Sequence, residues 1–211
     1  MSANVSYSTP VIELLSSRIC HDLISPIGAI VNGLEFMEDM DGADSEEALE
    51  LITHSAKLAS AKLKLFRIIY GAGGRDGVKP ADVHKALEDW LTLENKIRQT
   101  WQADAVKLAM IPEGFCKLMA GTLLMATECL PKGGTLNLVQ KDDKIEISAS
   151  GENANLRDGV ADALSLKLAE SALDPRLTHP YIMGKLAQSY GYSLTSKPES
   201  GTVTFVLAQM G

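Results

Sequence analysis

The segment RICHDLISPIGAIVNG, residues 18 to 33, sets His21 beside Asp22 and places Pro26, five residues after the histidine, inside what otherwise reads as a helix. Asp22 can accept a hydrogen bond from one ring nitrogen, which fixes the tautomer and leaves the other nitrogen with an available lone pair. An imidazole is substantially unprotonated at neutral pH, so it can take up a phosphoryl group without a strong base beside it. The positions sharing the helix face of His21 are Ser25, Gly28, Asn32 and Glu35 or Phe36, and their small and polar side chains leave room for a second molecule. A lone helical histidine is by itself an ordinary solvated residue; Pro26 sets this one apart. It removes a helical N–H, frees the carbonyl of Asp22 and disfavours helical geometry at Ser25, at about 3 kcal/mol in a helix interior. Such a local violation in an otherwise consistent helix is expected where function requires it.

The remaining chemistry-bearing residues read as structural. His54, His84 and His179 lack ligand spacing with one another. Cys20, Cys116 and Cys129 are odd in number and without a CxxC pair, so they support neither a disulfide framework nor a zinc site. All three are expected to be small buried hydrophobes, Cys20 included, because neighbours on a helix point about 100° apart.

Two long helices must position His21. From Val11 to Met40, Ile12, Leu15, Ile19, Leu23, Ile30, Leu34 and Met37 form one apolar stripe. MDGAD makes a turn, Asp44 and Glu47 resemble a capping box, and Leu49, Ile52, Ala56, Ala59, Leu63, Phe66 and Tyr70 continue at three-four spacing until GAGG ends the run. An antiparallel hairpin of this length needs a cover for its apolar face. A second copy is the simplest cover, which predicts a homodimeric four-helix bundle through residues 9 to 73.

Downstream, PADVHKALEDWLTLENKIRQ and PEGFCKLMAGTLLMATECL read as helices. TLNLV and KIEISA, joined at KDD, read as a hairpin. A helix is expected from Leu156 to Leu173, a short one over YIMGKLAQSYG, and a closing hairpin over YSLTSKPESGTVTFVLAQ. The fold class is therefore α+β: residues 1–74 form the helical hairpin and 75–211 an α/β layer.

Composition narrows the function. A net charge of -7 argues against nucleic-acid binding, which draws most of its affinity from Lys and Arg on phosphates. Apolar runs of only a few residues, with no basic-then-apolar N-terminus, predict a cytoplasmic chain with no membrane span.

HDLISPI resembles the phosphoacceptor motif of two-component histidine kinases, in which histidine, an acidic residue, a small polar residue and proline lie on the first helix of a dimeric hairpin. YIMGKLAQSYGYSLTSKPESGTVTFVLAQ is similar to the end of the kinase ATP-binding domain, so the resemblance covers most of the chain. Its departures are specific. Met125 stands where the kinases have a magnesium-binding asparagine, and a thioether does not suit that ion. ISASGENA offers Ala149, Ser150, Gly151 and Asn153 where an adenine-reading aspartate, an asparagine and a glycine pair are expected, and only Gly159 remains of a glycine-rich lid.

A chain that keeps the histidine and loses the nucleotide site resembles the dimeric histidine phosphotransferases of alphaproteobacteria, whose second domain is a degenerate kinase ATP domain. That resemblance implies a phosphorelay in cell-cycle control. His21 would accept a phosphoryl group from the receiver aspartate of a hybrid kinase and pass it to response-regulator receivers, with Asp22 orienting the ring and Ser25 contacting the phosphoryl group or the receiver. It also implies no cofactor or metal site on this chain and no ATP, with magnesium and a lysine supplied by the receiver. Receivers would dock along Ile24, Gly28, Ala29, Asn32 and Phe36. Lys57, Lys64 and Arg67 either steer an acidic receiver or simply solvate the bundle, and Arg157 and Arg176 could add a second contact. The competing expectations are a divergent ATP-dependent sensor kinase and a non-catalytic dimeric scaffold for receivers.

Overall fold

The computed structural model describes residues 6–39, 45–72 and 77–210. Helix α1 (Thr9–Asp39) packs along α2 (Ser45–Ile69), forming the expected hairpin. Gly33 sits where the two approach closely: a Cβ there would fall 2.7 Å from Cγ1 of Ile52, so a larger residue would require the Ile52 side chain to shift. The expected turn over 40–44, the Asp44 cap and the boundary after residue 74 lie outside the described residues.

Helix α3 (Pro80–Glu94) opens with Pro80 in its first turn, where the missing N–H costs nothing, while the Asp82 carboxylate accepts from the Lys79 N–H at 2.8 Å. It closes at Asn95, whose positive φ of 52° is tolerated by a short polar side chain. Helix α4 (Phe115–Glu128) is buried along almost its whole length. It lies between the sheet and the layer of α2, α3 and α6 (Pro175–Ser189), which is where a helix that is apolar all round belongs.

The five-stranded sheet has the order β1 (Ile97–Gln99), β2 (Gly134–Lys141), β3 (Lys144–Ser150), β5 (Thr202–Gln209) and β4 (Tyr192–Glu199). β1 runs parallel to β2 and every other pair is antiparallel. Alternation sends Leu136, Leu138, Ile145, Ile147, Val203, Phe205 and Leu207 to the helix-covered face. The end of the hairpin enters the same core, since Val11, Leu65, Phe66 and Ile69 cluster with Leu118, Met119 and Leu123.

Several expectations need correction. The segment NKIRQ is not helical: Asn95 caps the end of α3 and three residues then pair with β2 as an edge strand. In place of a helix over 156–173 there is one turn, α5 (Val160–Leu164), and a 3-10 turn over Glu170–Ala172. Helix α5 stops because the Ser165 hydroxyl bonds back to the Ala161 carbonyl at 2.8 Å and Leu166 takes a positive φ. Helix α6 begins six residues earlier than the YIMGKLAQSYG reading: the Asp174 carboxylate caps the N–H groups of Arg176 and Leu177, and the helix runs on through Pro180.

Cys20 is exposed, not core, because it lies on a face of α1 that nothing in the single chain covers. Residues Thr9–Glu38 are, by length and composition, long and apolar enough to cross a membrane, with an 18-residue stretch of mean hydropathy 1.2. Counting uninterrupted apolar runs missed this, since scattered polar residues such as Asn32 and Glu35 break the runs while the average stays high.

Candidate functional site

His21 projects from the middle of α1 with 87% of its side chain exposed. Oδ1 of Asp22 lies 3.5 Å from its Nδ1, longer than a hydrogen bond, so the carboxylate acts on the ring by charge. With Asp22 beside Nδ1, Nε2 is the nitrogen on the opposite side of the ring. Helix α1 runs unbroken through Pro26, which is buried, and so absorbs the missing N–H without ending. Beyond it the surface is low: a Cβ on Gly28 would meet nothing, Ala29 is half-buried, and Ser25 and Asn32 are exposed. Ile24 and Phe36 add exposed apolar area to the same helix.

On its other side, His21 borders a cleft of about 610 Å³ between the hairpin and the remainder of the chain. Ser17, Arg18 and Asp22 line it from α1, Lys62 from α2, Trp90 and Glu94 from α3, Leu124 and Glu128 from α4, Pro175 and Arg176 from α6, and Arg157 from the loop before α5. Arg18 forms an ion pair with Glu128, and its Nη1 donates to the Pro175 carbonyl at 3.4 Å. Its Nε is buried with no hydrogen-bond partner among the described residues. Burial raises the Glu128 carboxyl above the usual carboxylate range, and Arg18 pulls it back only in part. Lys62 pairs with Glu94 at 3.3 Å and lies 5.7 Å above the Trp90 ring. Arg157 and Arg176 are exposed and make no ion pair among the described residues, although Arg157 acts at longer range on the Glu128 carboxyl.

His21 and Asp22 thus share a site with Arg157 and Arg176, more than a hundred residues downstream. Lys57 and Lys64 do not join them. They line a separate hollow of about 530 Å³ between α2 and α3, with Ser60, Asp89 and Thr92. Arg67 is exposed on α2 and lines neither. Sequence reasoning missed Arg18, Lys62 and Glu128. Arg18 is three residues before His21 and so on its face of the helix, a signal that was present; nothing local marks Glu128. Among the described residues, no group of three or more His, Cys, Asp or Glu could hold a metal ion. Met125 and Ala149 are both buried.

Residues 80–202 match the family described as histidine phosphotransferase C-terminal domain. The protein phosphotransferase ChpT of Brucella abortus (strain 2308) is 33% identical over 198 residues, covering 91% of this chain and 92% of the relative. A bacterial phosphotransferase of known structure superposes with a TM-score of 0.80 at 29% identity, covering 98% of this chain and all of the other. With the family match spanning more than half of the sequence and the ChpT similarity spanning nearly all of it, the chain belongs to the histidine phosphotransferase family.

Proposed function

We infer that this protein is a phosphorelay phosphotransferase whose covalent carrier is His21. The observation that carries this reading is an imidazole almost fully in solvent, with a carboxylate at Nδ1 and two exposed arginines lining its cleft. The Nε2 lone pair attacks the phosphorus of a receiver's aspartyl phosphate. The N–P bond forms as the acyl P–O bond breaks, and the aspartate leaves as a carboxylate. The proton stays on Nδ1, where Asp22 stabilises the charge that develops on the ring. Transfer onward to a second receiver reverses these steps. Catalysis of such a loose transition state is mostly positioning and charge neutralisation, the task that Arg157 and Arg176 suit.

Several parts of this reading go beyond family membership. Receivers of a hybrid kinase and of response regulators dock along Ile24, Gly28, Ala29, Asn32 and Phe36, with Ser25 facing the phosphoryl group. The low relief and exposure of that face support this. The divalent ion and lysine of the reaction belong to the receiver, and this chain uses neither ATP nor a metal of its own. Lys57, Lys64 and Arg67 contribute to steering from the neighbouring α2 surface. Residues 1–74 form the dimerisation and transfer unit and 75–211 a degenerate ATP-binding-like unit. Two copies bury Ile27, Val31, Leu34, Leu49 and Leu63, which are large, apolar and exposed in the single chain. The protein works in the cytoplasm, since a membrane-spanning α1 would place Asp22 and Glu35 in hydrocarbon. Its pathway is cell-cycle control.

The test is a pair of assays on the intact protein, one with radiolabelled ATP and one with a receiver domain carrying radiolabelled aspartyl phosphate. Acid-labile label on the wild type from the receiver alone, and none on His21→Ala, is the expected result. Label from ATP would make the protein a kinase, and label on neither would leave a scaffold.

A further inference from the structure

Resting on the assignment of His21 as phosphoacceptor, we propose that Arg18 is a positioning residue for phosphoryl transfer: it holds the turn of α1 that carries His21 in register with the start of α6 that carries Arg176. Three elements distant in sequence meet at its guanidinium. Its own helix presents His21 one turn further on. Glu128, at the last position of α4, takes the ion pair. The Pro175 carbonyl, at the first position of α6 and adjacent to Arg176, accepts from Nη1 at 3.4 Å.

The surroundings favour this over a solvated surface pair. The Arg18 side chain is 12% exposed and that of Glu128 28%, so neither charge is screened as a surface pair would be. His21 itself, 87% exposed, is held in place only by its helix, and the distance from His21 to Arg176 is therefore fixed by whatever locks α1 to α6. A planar guanidinium can serve a carboxylate and a carbonyl at once in a fixed fork, whereas an ammonium is a point charge on a flexible stem. The arrangement thus calls for arginine at this position, and lysine would keep the charge but lose the geometry.

The experiment measures single-turnover transfer from a phosphorylated receiver domain to the full-length protein, with melting temperature recorded for every variant. The variants are Arg18→Ala, Arg18→Lys, Glu128→Gln, Arg176→Ala, and Arg176→Ala combined with each of the first three. Arg18→Ala, Glu128→Gln and Arg176→Ala are each expected to slow transfer roughly ten- to hundredfold, the effect of a misplaced reacting group. The double variants are expected to be no slower than the slower single, because Arg176 is useful only while Arg18 holds it in place. Arg18→Lys stays slow although its charge and melting temperature are retained. Glu128→Gln, nearly isosteric, keeps the test open should Arg18→Ala fold poorly. A purely structural pair would lower the melting temperature and leave the rate unchanged, or leave the Arg176→Ala loss equally large in every background; either result overturns the proposal, as does wild-type transfer by Arg176→Ala. His21→Ala runs alongside: label on that variant removes the phosphoacceptor assignment itself, whereas unlabelled His21→Ala with unimpaired Arg18→Ala removes only the role of Arg18.

Discussion

The Tyr70 hydroxyl donates to Nδ1 of His179 at 2.7 Å, and Nε2 of the same ring donates to the Gly121 carbonyl at 2.9 Å. The end of the hairpin, α6 and the buried α4 are joined through one neutral imidazole with both nitrogens satisfied. The Tyr70 and His179 rings also meet edge to face, 5.6 Å apart. A histidine that reads as bland in the sequence is therefore a fully buried connector between the helical hairpin and the rest of the molecule.

This connector predicts an acid limb in stability. Burial, with a smaller contribution from Arg18, pushes His179 from the ordinary 6.5 down to about 3. The unfolded chain takes up a proton that the folded chain refuses between these values, so stability is lost as pH falls from 6.5 towards 3. The slope from this group approaches about 1.4 kcal/mol per pH unit. Above 6.5 both states are neutral and the contribution is flat. Denaturant titrations across that range should show the slope, and His179→Asn should flatten it.

Tyr70→Phe removes only a hydroxyl but leaves a buried ring nitrogen without its donor. A loss of about 1–3 kcal/mol in unfolding free energy is expected, far more than for an exposed tyrosine. Chemical denaturation at pH 8 isolates this loss from the titration of His179.

His21→Ala should abolish phosphoryl transfer and change stability by no more than about 0.5 kcal/mol, because so exposed a side chain contributes little packing. Asp22→Asn should retain folding and slow transfer by roughly tenfold, having removed the charge beside Nδ1 while keeping the shape. Transfer kinetics and thermal melts on the same preparations check both.

Arg157→Glu places a carboxylate in the cleft that His21 borders. Association with a phosphorylated receiver should slow severalfold at low ionic strength and approach the wild-type rate as salt shortens the screening length to about 3 Å near 1 M. Stopped-flow measurements over a salt series provide the comparison.

Leu34→Glu and Leu63→Glu put charges on the uncovered apolar face of the hairpin. Each should halve the mass measured by sedimentation equilibrium while leaving the helical circular-dichroism signal near that of the wild type. An unchanged mass would remove the dimer interface from this face.

Much of the fold was legible in the sequence because its signals are local. The three-four spacing along α1 and α2, and the alternation in TLNLV, KIEISA and the closing strands, follow from backbone geometry within a few residues. The candidate site was legible for the same reason: His21, Asp22 and Pro26 lie within a turn and a half of one helix. Weak local signals were less well resolved. The three residues of β1 pair only because β2 lies beside them, and the start of α6 was obscured by Pro180, whose breaking tendency the Asp174 cap and tertiary packing outweigh.

The cleft is different in kind. Local pattern marks a candidate nucleophile on a helix, but an ion pair between Arg18 and Glu128, 110 residues apart, depends on how α1, α4 and α6 pack. The same packing selected Arg157 and Arg176 over Lys57 and Lys64 as neighbours of His21, and left Cys20 exposed. Charges on separate elements acquire partners only when burial of the apolar faces has set the distances between those elements, so residue types and spacing alone could mark a candidate reactive group but not its surroundings.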